Sequence, residues 1–183
     1  MSLKRIVQMV AVNLVFVISV RAEFMLLDNF DNKTQRWKYV SDQVMGGVSE
    51  GDLIFNQDEE ETFAHLTGVV STENNGGFIQ FRTDIETTKN QNIEGIYLKV
   101  KGNNEAYFIH LRTKGTFLPW QYYQSEFIAT KNWKIVKLPI KEFRASSKWL
   151  KNRPAINSLK SIGIVAFGRE HNADISVSEV GFY

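Results

Sequence analysis

A serine flanked by glycines is the first candidate for chemistry in this 183-residue chain. Gly47–Gly51 has the spacing G-x-S-x-G, which in hydrolases places a serine nucleophile on a sharp turn between a strand and a helix. The residues after Gly51 instead read as a turn into a strand. A hydrolase also needs a general base, and none of the three histidines (His65, His110 and His171) has a neighbour that suggests this role. We therefore expect Ser49 to bond to backbone in a tight loop and predict that the chain is not an enzyme.

The same glycines do not form a cofactor-binding motif. Gly46-Gly47 lacks the G-x-G-x-x-G spacing, and no strand–helix–strand unit surrounds it to bring a helix N-terminus to a pyrophosphate. The acidic run at residues 58–61 lacks the alternating ligand spacing of a calcium loop. The residues themselves therefore predict no cofactor and no metal site.

Hydrogen-bonding side chains stand beside both glycine-rich segments of the chain. Asparagine and aspartate at such places most often cap turns by bonding to their own backbone. They could also present polar groups to a partner at one end of the fold, and both interpretations stay open. The candidate binding residues in these segments are Asp42, Gln43, Gly46, Gly47 and Ser49 in the first and Asn74, Asn75, Gly76 and Gly77 in the second.

A second group of candidates combines arginine, amide and aromatic side chains. Arg82, His110 and Arg112 fall on the outward positions of alternating segments, and the group is completed by Trp120, Gln121 and Tyr123. If their strands are neighbours, these residues form a polar-aromatic face that could bind a glycan or a protein. The alternative is an ordinary solvated strand face with Trp120 in the core.

The elements that must position these residues are strands. Apolar and polar residues alternate along Ile96–Lys101 and Tyr107–Arg112, and again along Trp133–Leu138, with glycine or asparagine turns between such runs. Short strands at this spacing are typical of an antiparallel sandwich or jelly roll. One helical turn is expected at Ile140–Phe143, and Arg144–Leu159 is expected to be a long loop. We predict an all-β fold of two antiparallel sheets in a single domain.

The N-terminus has the pattern of a secretory signal peptide. Lys4 and Arg5 precede an apolar run that ends near Val20, and Ala22 offers a cleavage position. We therefore expect a signal peptide at residues 1–22 and a domain at 23–183, located in the periplasm or outside the cell, with or without membrane association.

Removing Lys4, Arg5 and Arg21 leaves 22 − 3 = 19 basic residues against 20 acidic ones, so charge gives no support for nucleic-acid binding. The oligomeric state is not predicted.

Several segments resemble the complex I intermediate-associated protein 30 family. They are Trp37–Gly51, Gly68–Arg82, Ile93–Gly102, Tyr107–Thr113, Trp133–Ile140 and Ser161–Gly163. The resemblance implies a galactose-binding-like β-sandwich and a role as an assembly factor or chaperone, with a membrane or respiratory-complex subunit as protein partner. Folds of this kind often hold a structural calcium, to which Asp28 or Asp31 could contribute.

The expected export departs from the mitochondrial members of that family, which act on the matrix side. A protein-binding assembly module that is exported is the first functional hypothesis. The alternative is a carbohydrate-binding module for envelope or extracellular glycans, because both the fold and export suit it.

Overall fold

Twelve β-strands and short turns make up the protein, as far as its structure is described. The structure is a computed structural model and describes residues 24–31, 36–59, 61–86 and 92–183. The strands are β1 (Met25–Asp28), β2 (Lys38–Ser41), β3 (Glu50–Gln57), β4 (Thr62–Val70), β5 (Phe78–Asp84), β6 (Gly95–Gly102), β7 (Ala106–Thr113), β8 (Tyr123–Ile128), β9 (Lys134–Pro139), β10 (Arg144–Ala145), β11 (Leu159–Phe167) and β12 (His171–Phe182). Short 3₁₀ turns occur at Asp42–Met45, Glu73–Asn75, Ile140–Glu142 and Ile156–Ser158.

The strands form two antiparallel sheets that pack face to face. The first sheet has the order β3-β4-β12-β6-β9, and β1 pairs with the end of β12 beyond β4. The second sheet has the order β10-β8-β7-β11-β5-β2. The predicted β-sandwich of two antiparallel sheets is confirmed.

The inward side chains of both sheets fill the space between them. Tyr107, Ile109 and Leu111 of β7 are buried, as the alternation predicts. Burial of each large apolar side chain contributes about 1.5–3 kcal/mol, so these layers are the main source of stability. The hydroxyl of Tyr107 stays satisfied because it accepts from Asp174 N–H and donates to Asn103 Oδ1, both at 2.8 Å. Burial raises the pKa of Tyr107 to about 12, so its hydroxyl remains protonated at neutral pH.

The connection that leads from β9 to β11 differs in part from the sequence prediction. The expected turn after Pro139 is present at Ile140–Glu142. The segment Arg144–Leu159, predicted to be a loop, begins instead with β10, where Arg144 pairs with Gln124 of β8. Two residues are too few for an alternating pattern to be recognised in the sequence, which explains the omission.

The predicted signal peptide at residues 1–22 lies outside the described residues. Among those that are described, no helix has the length and apolar character needed to cross a membrane.

Candidate functional site

One buried carboxylate joins the two glycine segments. Asp42 opens the turn after β2 and is fully buried. Its Oδ1 accepts a hydrogen bond from Ser49 N–H at 3.0 Å. Its Oδ2 accepts from Ser49 Oγ–H at 2.5 Å, from Gly77 N–H at 2.6 Å and from Phe78 N–H at 3.1 Å. A single side chain thereby fixes the residues before β3 and the start of β5 against the end of β2.

Two glycines provide the space for this carboxylate. A Cβ atom on Gly47 would lie 2.4 Å from Asp42 Cγ, and one on Gly76 would lie 2.5 Å from Asp42 Oδ2. Gly46 ends the turn with φ of 90°, a left-handed conformation that glycine adopts without strain. The predicted binding residues Gly47 and Gly76 therefore serve to accommodate Asp42.

The hydrogen bonds keep Asp42 ionised. Burial alone would raise its pKa, but the hydrogen bonds from Ser49, Gly77 and Phe78 favour the charged form more strongly, and the pKa is lowered from its ordinary value. At neutral pH the loop therefore contains a buried anion whose partners are all neutral donors.

Ser49 is a structural member of the same network. Its side chain is buried, and its Oγ accepts from Ser71 N–H at 2.9 Å while donating to Asp42. Strand β3 follows directly at Glu50, in place of the helix that a nucleophile elbow requires. The expected bond to backbone is present, and the link to Asp42 was not foreseen.

The remaining polar candidates of the loops are exposed. Gln43 donates through Nε2 to the carbonyl of Ser49 at 3.1 Å. Asn74 and Asn75 adopt φ of 55° and 60°, the left-handed region in which asparagine is tolerated better than most residues. These asparagines thus shape the turn before β5, while their side chains face solvent.

The first glycine loop also exposes apolar side chains that sequence reasoning missed. Val44 is 73% exposed and Met45 is 58% exposed, and Val48 is exposed as well. We call these three residues the loop tip. The signal was present in the sequence as apolar residues within a short polar, glycine-rich segment, where no core position was expected.

A polar cleft crosses the outer face of the second sheet. Antiparallel pairing aligns Lys38, Arg82, Gly163, His110, Gln124 and Arg144 in one row over all six strands. Directly paired residues point to the same side of a sheet, so this row lies on one face. With strands spaced about 4.8 Å apart, it spans roughly 24 Å. The residues that line its centre, here called the sheet cleft, are Gln80, Arg82, His110, Arg112, Pro119, Tyr122, Ser161 and Gly163.

A wider groove adjoins the sheet cleft over β8 and β10. It has a volume of about 610 Å³ and contains Gln124, Glu126 and Arg144. His110 in the cleft pairs directly with Gln124 in the groove, so the two depressions lie side by side across β7 and β8. An elongated ligand could therefore contact both.

The two arginines of the sheet cleft have different surroundings. Arg112 donates through Nη2 to the carbonyls of Thr116 and Leu118, at 3.3 and 3.0 Å, and so holds the loop between β7 and β8 against the sheet. Burial and the neighbouring Arg82 lower the pKa of Arg112. Arg82 is exposed and makes no ion pair in the described structure.

His110 stacks on Tyr122 in the same cleft. Their ring centroids lie 4.0 Å apart with an angle of 12° between the planes. Burial lowers the pKa of His110 to about 3, so the imidazole is neutral at physiological pH. The cleft therefore takes its positive charge from arginine, not from histidine.

Two candidates on this face, Tyr123 and Gln121, differ from the prediction. Tyr123 is 3% exposed and points into the core, and the outward aromatic residue is its neighbour Tyr122. Gln121 is also buried, and its Oε1 accepts from the N–H groups of Phe117 and Leu118. Trp120 is 61% exposed, so the alternative that placed it in the core is wrong. Consecutive aromatic residues gave no alternation from which the inward position could be identified.

Several polar atoms of this face have no hydrogen-bond partner among the described residues. They are His110 Nε2, Arg112 Nε and Gln124 Oε1, and each atom is shielded from solvent. A buried polar atom without a partner costs about 1–3 kcal/mol, so such atoms normally have a structural or functional explanation. These atoms lie beneath the surface of the cleft and groove, so they are not themselves exposed to a ligand.

The described residues contain no group of three or more potential metal ligands. Asp28, which the family resemblance implied for calcium, already accepts from Trp37 Nε1–H at 2.8 Å and from Phe30 N–H at 2.9 Å, and pairs with Arg36 at 3.4 Å. Its carboxylate thus has a structural role at the start of the domain.

Comparison with known families agrees with this architecture. The sequence model of the complex I intermediate-associated protein 30 family matches residues 28–177, more than half of the chain. The chain belongs to this family. The match extends from the last residue of β1 to the middle of β12. It includes both glycine loops and the sheet cleft. No curated protein sequence matches the chain significantly.

Solved structures with the same fold include carbohydrate-binding modules. A family 11 module from Clostridium thermocellum, in complex with a β-1,3-1,4-mixed-linked tetrasaccharide, superposes with a TM-score of 0.71 at 12% identity and covers 87% of this chain and 94% of its own. A family 30 module of a cellulosomal cellulase from the same organism has a TM-score of 0.58 at 12% identity, covering 81% and 91%. An agarase matches with a TM-score of 0.59 at 8% identity over 87% of this chain and 24% of the agarase. Identities this low establish the common fold only.

Proposed function

We propose that this chain is a non-enzymatic, exported protein-binding module that assists the assembly of a membrane or respiratory complex. Membership of the complex I intermediate-associated protein 30 family supports the assembly role. The observation that carries the proposal is the loop tip, where Val44 and Met45 are held in solvent by a buried network beneath them.

The network makes the loop tip suitable for binding. Exposed apolar side chains that cluster on a surface often mark contacts with other proteins. Asp42 fixes the backbone on either side of the tip before any partner arrives, so little conformational entropy is lost on binding. Apolar residues presented by a rigid loop are therefore efficient contacts for an incompletely assembled partner with exposed hydrophobic surface.

Crosslinking in the native cell tests this proposal. We expect the wild-type protein to recover a subunit of a membrane or respiratory complex, and the double variant V44S/M45S to lose it. The matched control is Ile135→Ser, because Ile135 is similarly exposed but lies on β9 of the first sheet. Recovery of no membrane protein, or equal recovery by the tip variant, would contradict the proposal.

The compartment of the native protein decides where such a partner can be. Fractionation and N-terminal mass spectrometry should find a chain that begins at Glu23 outside the cytoplasm. An exported chain cannot reach subunits on the cytoplasmic or matrix side, so its partner must face the envelope. A chain that retains Met1 on the cytoplasmic or matrix side would contradict export and make complex I itself the partner to test.

A second candidate function, binding of carbohydrate, is favoured by the sheet cleft. Sugars are recognised by aromatic faces together with hydrogen-bonding side chains. The cleft and its groove offer the ring of Tyr122 together with the polar side chains of Gln80, Ser161 and Gln124. A glycan array and sugar-dependent thermal shifts test this candidate. No response across broad classes of sugar would remove it.

A further inference from the structure

The sheet cleft combines positive charge with the absence of a counter-charge. Arg82 and Arg112 are close enough for the charge of one to lower the pKa of the other. Neither forms an ion pair with any described carboxylate, although Arg36 and Arg169 elsewhere on the protein do. Asp84 shares a row with Arg112 through Ser161, yet it pairs with neither arginine. Two neighbouring guanidinium groups without a carboxylate repel each other, and an anion would relieve this repulsion.

A glycine at the centre of the cleft makes room for an amide side chain. Gly163 lies between Arg82 of β5 and His110 of β7, at the centre of the row. A Cβ atom there would lie 2.8 Å from Gln80 Oε1, so the absence of a side chain also makes room for this amide. The result is a shallow site that is lined by the two arginines, the Gln80 amide and Ser161.

Aromatic side chains border the site. The stacked rings of His110 and Tyr122 form one wall. The loop that Arg112 holds against the sheet carries Phe117, 83% exposed, and Trp120. Aromatic faces next to hydrogen-bonding groups suit the apolar faces and hydroxyls of a sugar ring, whereas a free inorganic anion would use only the arginines.

We propose that the sheet cleft binds an acidic saccharide, with a uronic acid carboxylate at Arg82 and Arg112. Arg82 can bind the carboxylate through a fork of parallel N–H donors, which gives both strength and orientation, while Arg112, whose Nη2 already bonds two carbonyls, adds positive charge. The sugar hydroxyls then meet the amide of Gln80 and the hydroxyl of Ser161, which line the same cleft. This inference rests on the second candidate function, carbohydrate binding, and names the class of saccharide.

Calorimetric titration with two tetrasaccharides tests the proposal: tetragalacturonate as the acidic probe and a neutral mixed-linkage glucan fragment. We expect tetragalacturonate to bind more tightly and its affinity to fall as sodium chloride is raised, since screening weakens charge attraction. Arg82→Gln should reduce the affinity roughly 10- to 100-fold, the loss expected for a charge-assisted hydrogen bond. Arg82 is exposed and has no structural partner among the described residues, so this variant should unfold at the wild-type temperature.

The matched control is Arg153→Gln, an exposed arginine that does not line the sheet cleft. It should leave the affinity unchanged. If both tetrasaccharides bound with equal affinity, the preference for an acidic saccharide would be wrong while carbohydrate binding stands. The same would follow if the affinity for tetragalacturonate changed neither with salt nor with Arg82→Gln. Binding of neither sugar would overturn both. Binding of a polyglutamate peptide as tightly as tetragalacturonate would overturn the assignment to a saccharide.

Discussion

Replacing Asp42 by asparagine tests whether one buried charge organises the glycine loops. The substitution keeps the shape of the side chain and removes its charge. In the folded protein, Oδ1 meets one donor, Ser49 N–H, whereas Oδ2 meets three. The amide will therefore keep its oxygen at the Oδ2 position and turn its NH₂ group toward Ser49 N–H, because this orientation opposes only one donor.

The magnitude follows from that geometry. One stranded N–H group costs about 1–3 kcal/mol, and three hydrogen bonds to a charged acceptor each weaken by ~1 kcal/mol when the acceptor becomes neutral. We expect Asp42→Asn to lower the free energy of unfolding by about 4–6 kcal/mol, a large part of the ~5–15 kcal/mol of an ordinary domain. For a domain of this size the melting temperature should fall by roughly 8–24 °C.

Urea denaturation at pH 7, followed by tryptophan fluorescence, measures this change directly. The matched control is Asp52→Asn, an exposed acid on β3 whose loss should change stability by less than ~0.5 kcal/mol. The folded pKa of Asp42 is lowered, so its contribution is present above the unfolded value of about 3.9 and is lost as the pH falls through the folded pKa. The gap between wild type and Asp42→Asn should therefore narrow in acid. A loss below ~1 kcal/mol at pH 7, or a gap independent of pH, would refute the reasoning.

Three further predictions concern single residues. Gly47→Ala should lower the free energy of unfolding, measured by urea denaturation, by more than ~2 kcal/mol, because its Cβ would lie 2.4 Å from Asp42. The control Gly115→Ala should be tolerated, because the nearest atom to its Cβ lies at 3.7 Å. Ser49→Ala should lower the free energy of unfolding by about 1–3 kcal/mol and leave any ester hydrolysis by the purified protein unchanged. Loss of hydrolysis in this variant would contradict the structural role of Ser49. The ring signals of His110 in NMR should not titrate between pH 5 and 8. The pKa of His110 is ~6.5 in the unfolded chain and about 3 in the folded protein, so between these values only the unfolded chain binds the proton. The contribution of His110 to the free energy of unfolding therefore falls as the pH drops below ~6.5.

The fold could be predicted because strand geometry leaves a direct trace in the sequence. Side chains of a strand alternate between faces, so Tyr107, Ile109 and Leu111 had to be buried together. The same rule failed at Tyr123, which directly follows another aromatic residue, Tyr122. A shift of one residue reverses the face, and Trp120–Tyr123 gave no means of choosing between the two registers.

The sites could be predicted only in part because they depend on which strands are neighbours. Arg82 and His110 were assigned to one face on the condition that their strands lie close together. Strand β11 lies between theirs, and its Gly163 makes the centre of the cleft. Nothing in the local sequence of Gly163 indicates this position. The bond from Asp42 to Gly77 likewise joins residues 35 positions apart, so only the folded chain reveals it.

The loop tip and the sheet cleft can be separated by experiment because they depend on different supports. The tip is held by Asp42, which also stabilises the start of β5 by accepting hydrogen bonds from Gly77 N–H and Phe78 N–H. Arg82 lies further along β5, where pairing with both β2 and β11 holds the strand without Asp42. A substitution at Asp42 that leaves the domain folded should therefore disturb the tip and spare the cleft. If Asp42→Asn abolished saccharide binding while the protein stayed folded, the two surfaces would have to act as one site, and a single ligand would have to contact both.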